Sequence, residues 1–229
     1  MLLGALAVLA AVAGFLTYRH YLSASAIPAM APAAAAPNNW DQPTAQAPDA
    51  NAAAPPPAIP ELVPDVRVPD LAGALHALRG LPGKSHLFNF WATWCEPCRR
   101  EIPLLNTLQA AHGSDGLRIV GIAVDEREAV EKYLKETSLK YTVLVGEDEG
   151  LDAALKFGVN MALPFSVFSD DQDRIIAVKV GELHREDAEV ILGEMKKLSN
   201  GSESLEAARQ AIGEALRSLA AERAKQKAS

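Results

Sequence analysis

Short apolar runs alternate with segments of helical periodicity between residues 85 and 198. Strands that are buried on both faces read as continuous apolar stretches, whereas amphipathic helices repeat their apolar positions every three or four residues. The apolar runs predict strands at 85–92, 117–124, 141–145, 165–168 and 175–180. The helical spacing predicts one helix that follows Cys98 and ends at His112, and others at 126–137, 151–157 and 187–198.

The order of these elements, β-α-β-α-β-α-β-β-α, predicts an α/β fold with a central mixed β-sheet and helices on both faces. The polar turn at 169–173 is short, so the two strands beside it are expected to be antiparallel. A further stretch at 203–227 places Leu205, Ile212 and Leu216 on one face. It predicts an added amphipathic helix at 200–229, docked on a domain at 61–199, with a helical dimer contact as the alternative.

The first 17 residues contain no charged side chain and are almost wholly apolar. About 17 apolar residues are the minimum for a helix that crosses a bilayer, so residues 1–22 are predicted to be a transmembrane anchor. The sequence Ser23-Ala24-Ser25 could serve as a cleavage site, which leaves a signal peptide open. Arg19 would favour the cytoplasmic side, against an extracytoplasmic location for the rest of the chain.

Residues 23–60 hold nine of the fifteen prolines together with fifteen alanines. Prolines this frequent exclude a helix or a central strand. Only Asp41 and Asp49 carry charge in this segment, and it has few residues that could form a core. The composition therefore predicts a disordered, partly extended tether between the anchor and the α/β domain.

The composition narrows the possible functions. The chain has 229 residues and a net charge of −7, which argues against a protein that binds nucleic acid through a basic surface. It has only two cysteines, Cys95 and Cys98. Two cysteines cannot form a disulfide scaffold or a four-thiolate zinc site, but they can form one dithiol–disulfide pair.

Both cysteines lie where a predicted buried strand meets a predicted helix, in the sequence Trp94-Cys95-Glu96-Pro97-Cys98. A thiolate at a helix N-terminus is stabilised by the helix dipole and by free backbone N–H groups. Cys95 is expected at that end and partly exposed, with Cys98 deeper and close enough to resolve a mixed disulfide on Cys95. A metal site remains an alternative, either half of a zinc site or a copper(I) site completed by His184.

The stretch FNFWATWCEPCRREIP resembles the active site of thioredoxin-like proteins, and most closely that of the membrane-anchored TlpA/ResA-like thiol–disulfide oxidoreductases. The similarity runs from about residue 63 to residue 198. The resemblance implies that Cys95 is the nucleophile and Cys98 the resolving cysteine, and that Trp94 flanks the active site. It also implies a cis-proline at Pro164 against the dithiol, preceded by a Leu163 backbone that binds extended substrate.

Two further positions, Asn89 and Glu101, follow from the same resemblance, and the role of Glu96 follows from its charge. Asn89 occupies the place of the buried acid of thioredoxin, and Glu101 resembles the acid that this family uses nearby, the alternative being a solvated helix residue. Glu96 lies between the cysteines, where its negative charge disfavours the Cys95 thiolate and hence the reduced form. Arg99 and Arg100 act in the opposite sense, so the net expectation is a weakly reducing pair.

These features together predict a reductase of protein disulfides, tethered to the bacterial inner membrane and facing the periplasm. The resemblance implies substrates of cytochrome c maturation or copper-site assembly, and a transmembrane thiol carrier as electron donor. It implies no metal and no cofactor beyond the Cys95–Cys98 disulfide, and no nucleic-acid partner. The alternatives are a disulfide oxidase or isomerase, and a non-enzymatic copper-binding or redox-dependent binding module. The Thr-x-x-Cys pattern of peroxiredoxins is absent, because Ala92 precedes Cys95 by three residues.

Overall fold

The computed structural model describes residues 59–160 and 162–228 of the chain. The predicted anchor at 1–22 and nearly all of the predicted tether at 23–60 lie outside these residues. The elements in chain order are β1 (Arg67–Pro69), β2 (Leu75–Ala77), β3 (Ser85–Trp91), α1 (Glu96–His112), β4 (Leu117–Ala123), α2 (Arg127–Glu136), β5 (Thr142–Val145), α3 (Glu147–Lys156), β6 (Phe165–Asp170), β7 (Ile175–Val180), α4 (Arg185–Ser199) and α5 (Leu205–Ala228).

The central sheet has five strands in the order β5-β4-β3-β6-β7. Strands β3, β4 and β5 are parallel, while β6 is antiparallel to β3 and β7 is antiparallel to β6. The sheet is therefore mixed, as predicted, and the polar turn after β6 produces the antiparallel pair. None of the helices in the described part of the chain is both long and apolar enough to cross a membrane.

Alternate residues of β3 face two different cores, as the pleat of a strand requires. Phe88 and Phe90 point to one side of the sheet, where both rings contact Phe157 just after α3. Leu87 points to the other side, where it belongs to a cluster with residues of α1 and α4. Trp91 lies on that second side too, in the cluster that contains Cys95 and Cys98. Helices therefore cover both faces of the sheet.

The hairpin of β1 and β2 has no counterpart among the predicted elements. Its strands have three residues each, which is too short for an alternating pattern to show. The turn depends on the side chain of Asp70, which accepts hydrogen bonds from the backbone N–H groups of Ala72 and Ala74. Gly73 has a φ of 89°, a conformation that residues with a Cβ rarely adopt.

Helix α3 begins four residues earlier than the predicted segment at 151–157. Its first turn consists of Glu147, Asp148 and Glu149, which the hydrophobic pattern alone assigns to a loop. Acidic side chains are favourable at a helix N-terminus because the helix dipole is positive there. The predicted start of this helix was therefore wrong, because the prediction used only the apolar positions and not the acidic residues that precede them.

The C-terminal helix α5 is docked on the domain. Ala208 and Ile212 are buried, and Ile212 belongs to the cluster formed by α1 and α4. Arg209 donates to the carbonyl oxygen of Ile175 at the start of β7 and pairs with Glu61 at 2.7 Å. These contacts favour the docked helix over the dimer alternative.

Candidate active site

Cys95 and Cys98 form a disulfide at the N-terminus of α1. Strand β3 ends at Trp91, and Cys95 is the N-cap residue, whose Sγ accepts a hydrogen bond from the Cys98 backbone N–H at 3.3 Å. The side chains are unequally buried, since Cys95 is 5% exposed and Cys98 is 0% exposed. Both residues are therefore buried in the disulfide form, so the expectation that Cys95 is partly exposed was wrong, and Cys95 is only slightly the more accessible of the two.

Asp125 fixes the loop that leads into the cysteine pair. This mostly buried carboxylate follows β4 and accepts hydrogen bonds from the backbone N–H and the hydroxyl of Thr93, both at 2.7 Å. The loop is thereby tied to the neighbouring strand two residues before Cys95. The sequence analysis missed Asp125, although an acidic residue just after a strand parallel to β3 could have indicated a residue near the cysteine loop.

The cis peptide bond that the resemblance implies is present before Pro164, and the structure also describes Leu163 and Trp94. Trp94 is 70% exposed, so its indole is available to a partner. The Leu163–Pro164 peptide bond is cis, and Leu163 packs against the cluster that contains both cysteines. The carbonyl oxygen of Pro164 accepts from the backbone N–H of Gly181 at 2.8 Å, which links this loop to the end of β7.

Glu101 is a buried carboxyl group one helical turn after Cys98. It is 2% exposed, and its two oxygens accept hydrogen bonds from Asn89 Nδ2 and from the Leu183 backbone N–H, each at 2.7 Å. Burial raises the pKa of Glu101 to about 7, and the two hydrogen bonds oppose that rise only in part. The alternative of a solvated helix residue is wrong. Asn89 occupies the position of the buried acid of thioredoxin. Here its side-chain amide donates a hydrogen bond to Glu101.

Glu96 is exposed and belongs to an ion-pair network. Its carboxylate lies 3.0 Å from Arg100 Nη1, and Nη2 of the same guanidinium lies 2.7 Å from Glu182 on the loop before α4. Arg100 therefore offsets part of the Glu96 charge. The network reduces the effect on the Cys95 thiolate that the sequence argument assigned to Glu96. Exposed ion pairs of this kind are worth roughly 1 kcal/mol or less.

No three His, Cys, Asp or Glu side chains within residues 59–160 and 162–228 are grouped closely enough to hold a metal ion. His184 lies at the N-terminal end of α4, and its backbone N–H donates to Asp187. This part of the chain therefore contains no preformed ligand set for the copper(I) site that the sequence left as an alternative.

The model of the Redoxin family matches residues 59–192, which is more than half of the chain. The chain belongs to the Redoxin family. Its curated relatives include the thiol–disulfide oxidoreductase ResA of Bacillus thuringiensis (strain Al Hakam), which is 33% identical over 59% of this chain and 76% of that protein. The ResA of Geobacillus thermodenitrificans (strain NG80-2) is 31% identical over 61% of this chain and 79% of that protein.

Solved structures agree with this assignment. A Chlorobium tepidum protein, provisionally named thiol:disulfide interchange protein DsbE, has 26% identity and a TM-score of 0.52 over 59% of this chain and 93% of that chain. A thiol–disulfide oxidoreductase from Bacteroides fragilis shares the fold at 22% identity, with a TM-score of 0.51 over 60% of this chain and 98% of that chain. The chain is a TlpA/ResA-like thiol–disulfide oxidoreductase with a thioredoxin-like fold.

Proposed function

We propose that this oxidoreductase is a membrane-tethered reductase of protein disulfides outside the cytoplasm, and that Cys95 and Cys98 are its redox centre. The observation that carries the proposal is a disulfide at a helix N-terminus, with Cys95 as the N-cap residue and the fully buried Cys98 within the first turn. In this arrangement Cys95 is the residue assigned to attack the substrate, and Cys98 resolves the intermediate.

Reduction of a substrate proceeds in two exchanges. The Cys95 thiolate attacks one sulfur of the substrate disulfide, forms a mixed disulfide and releases the other substrate sulfur as a thiolate, which takes up a proton. The Cys98 thiol then loses its proton and attacks Cys95 Sγ, which releases the second substrate thiol. Two electrons pass to the substrate, and the enzyme is left with the Cys95–Cys98 disulfide.

Glu101 is the group that we assign to the proton of Cys98. It lies one turn further along the same helix face, and a carboxyl with a pKa of about 7 can both accept and return a proton near neutral pH. Its carboxylate also opposes a second negative charge close by. That disfavours the thiolate form and makes the dithiol a better electron donor, in the same sense as Glu96.

The surface around Cys95 suits an extended protein segment. Trp94 offers an exposed aromatic face, and Leu163 packs against the cluster that contains both cysteines. Proteins of cytochrome c maturation or copper-site assembly are the substrate class that the family resemblance suggests. The enzyme would then be re-reduced by a dithiol donor, for which a transmembrane thiol carrier fits an enzyme anchored through residues 1–22 at the periplasmic face.

A trapping experiment tests the proposal. In the Cys98→Ser variant the second exchange is blocked, so protein substrates should accumulate as mixed disulfides on Cys95 and be identifiable by mass spectrometry. Cys95→Ser is the matched control and should trap nothing. A reduction potential near the −120 mV of a strong oxidant would contradict the reductase assignment. Alkaline phosphatase fused after residue 60 should be active if the domain lies outside the cytoplasm, and inactivity there would refute the location.

A further inference from the structure

A row of polar side chains crosses the sheet beneath α1. Asn89 of β3 is the register partner of Ser166 of β6, which in turn pairs with Lys179 of β7. Register partners point to the same face of a sheet, and Asn89 Nδ2 donates both to Ser166 Oγ and to Glu101. Glu101 therefore sits above a polar row that leads away from the dithiol toward the edge strand β7.

The row ends at a buried carboxylate that pairs with the C-terminal helix. Asp187 in the first turn of α4 is 0% exposed, and its Oδ1 lies 2.7 Å from Arg223 Nη2 of α5. The other oxygen lies 3.8 Å from Lys179 Nζ and accepts from the His184 backbone N–H. A carboxylate this deeply buried is costly without a cation, so Arg223 and Lys179 together balance its charge.

The loop at 181–184 connects Asp187 to Glu101. Lys179 Nζ donates to the carbonyl oxygens of Val180 and Glu182, at 3.0 and 3.1 Å. The next residue, Leu183, donates its backbone N–H to Glu101, and His184 donates to Asp187. One short backbone segment is therefore held at both ends, by the carboxyl beside the dithiol and by the carboxylate beneath Arg223.

We propose that Arg223 is a positioning residue of the thiol–disulfide site, acting through Asp187, Lys179 and the loop at 181–184 on Glu101. The inference rests on the role that the proposed function gives Glu101. It also assigns a task to α5, which begins at Leu205, beyond the end of the Redoxin match at residue 192. The added helix then supplies a charge to the redox site as well as apolar packing.

The sign of the effect follows from the charges. Without Arg223, Asp187 keeps Lys179 as its cation, and Lys179 is expected to move toward it, so less positive charge remains near Glu101 and the loop is held less firmly. Both changes favour the protonated form of Glu101. The other groups that face Glu101 do not compensate, because Glu182 is itself acidic and burial raises the pKa of Tyr141, which keeps its phenol neutral.

The test follows the Glu101 carboxyl directly by ¹³C NMR in the oxidised full-length protein in mild detergent, with Glu101→Gln identifying the signal. The wild-type midpoint is expected at about pH 7. Arg223→Gln should raise it by about half a unit, a threefold change in the proton equilibrium constant. Arg223→Lys should restore part of the shift.

Two further variants serve as a control and as an independent test of the role of Asp187. Arg209→Gln makes the same chemical change on the same helix, but Arg209 contacts Ile175 and Glu61 rather than Asp187, so the Glu101 midpoint should stay at the wild-type value. Asp187→Asn removes the negative charge and should lower the midpoint, and in that background Arg223→Gln should have little further effect. These two arms hold even if Arg223→Gln alone folds poorly.

An unchanged midpoint in folded Arg223→Gln, or an equal shift in Arg209→Gln, would overturn the inference. The measurement of the Glu101 midpoint needs no substrate, so its outcome is independent of the test of the proposed function. If the Cys98→Ser trap fails while the midpoint shift is observed, only the reductase proposal is refuted. A working trap without the shift would remove only the role of Arg223.

Discussion

The pH dependence of stability offers a direct test of the buried Glu101. Its pKa of about 7 in the folded protein lies above the ordinary value of 4.5, so the folded state keeps the proton to higher pH than the unfolded chain does. Between pH 4.5 and 7 the unfolded state therefore binds fewer protons, and stability falls as the pH rises. Below pH 4.5 both states are protonated and this group contributes no slope.

The magnitude follows from the two values. The folded pKa lies about 2.5 above the unfolded one, and each pH unit corresponds to 1.36 kcal/mol, so Glu101 costs about 3 kcal/mol above pH 7. Glu101→Gln abolishes this titration. The glutamine amide has one acceptor oxygen for the two donors, Asn89 and Leu183, but that defect does not change with pH. The variant should therefore gain about 3 kcal/mol relative to the wild type between pH 4.5 and 7.

Urea unfolding of the oxidised protein, followed by circular dichroism from pH 4 to pH 8.5, measures this difference. Glu96→Gln is the matched control, because Glu96 is exposed and its pair with Arg100 is worth little. Its stability relative to the wild type should change by less than about 1 kcal/mol over the same range. A difference between Glu101→Gln and the wild type that is constant with pH would refute the account of Glu101 as a buried, titrating acid.

Three further predictions concern the packing around the site. Asp125→Ala leaves the Thr93 N–H and hydroxyl without their acceptor and should cost about 3 kcal/mol in chemical denaturation; a loss under 1 kcal/mol would contradict its assigned role in holding the loop. Burial lowers the pKa of His86, so the contribution of this group to stability should fall as the pH drops below 6.5, opposite in sign to that of Glu101; the stability of His86→Phe relative to the wild type should therefore rise over that range in the same titration. Ile212→Ala should cost 2–4 kcal/mol, roughly, if α5 is docked as described, whereas the exposed Ser218→Ala should change stability by less than about 0.5 kcal/mol.

The strands of the central sheet could be predicted because they are buried on both faces. The run at 117–124 is apolar apart from Arg118 near its start, as expected for a strand covered on both faces. The hairpin of β1 and β2 could not be found in this way, since its three-residue strands depend on the Asp70 side chain and on Gly73 rather than on an apolar pattern.

Some residues of the candidate site could be predicted from the sequence and others could not, for similar reasons. Cys95 and Cys98 were predicted from a local motif, because their chemistry is tied to residue type and short spacing, whereas Pro164 was predicted from the family resemblance. The environment of Glu101 was left open, since the Leu183 N–H that binds it lies 82 residues away in the sequence. Asp187 and Arg223 are separated by 36 residues, and no local motif around either residue predicts that they form an ion pair.

The position of the buried acid has a consequence for how the site responds to reduction. In thioredoxin, which the motif resembles, the acid belongs to the central strand, at the place of Asn89 in this chain. Here the acid is on α1, the helix that carries both cysteines, and the sheet supplies a donor instead. A small movement of the start of α1 when the disulfide opens would carry Glu101 with it, against partners fixed on β3 and on the loop before α4. We therefore expect the protonation of Glu101 to respond to reduction of the disulfide, because its carboxyl group and both cysteines belong to one helix while its hydrogen-bond donors belong to other elements.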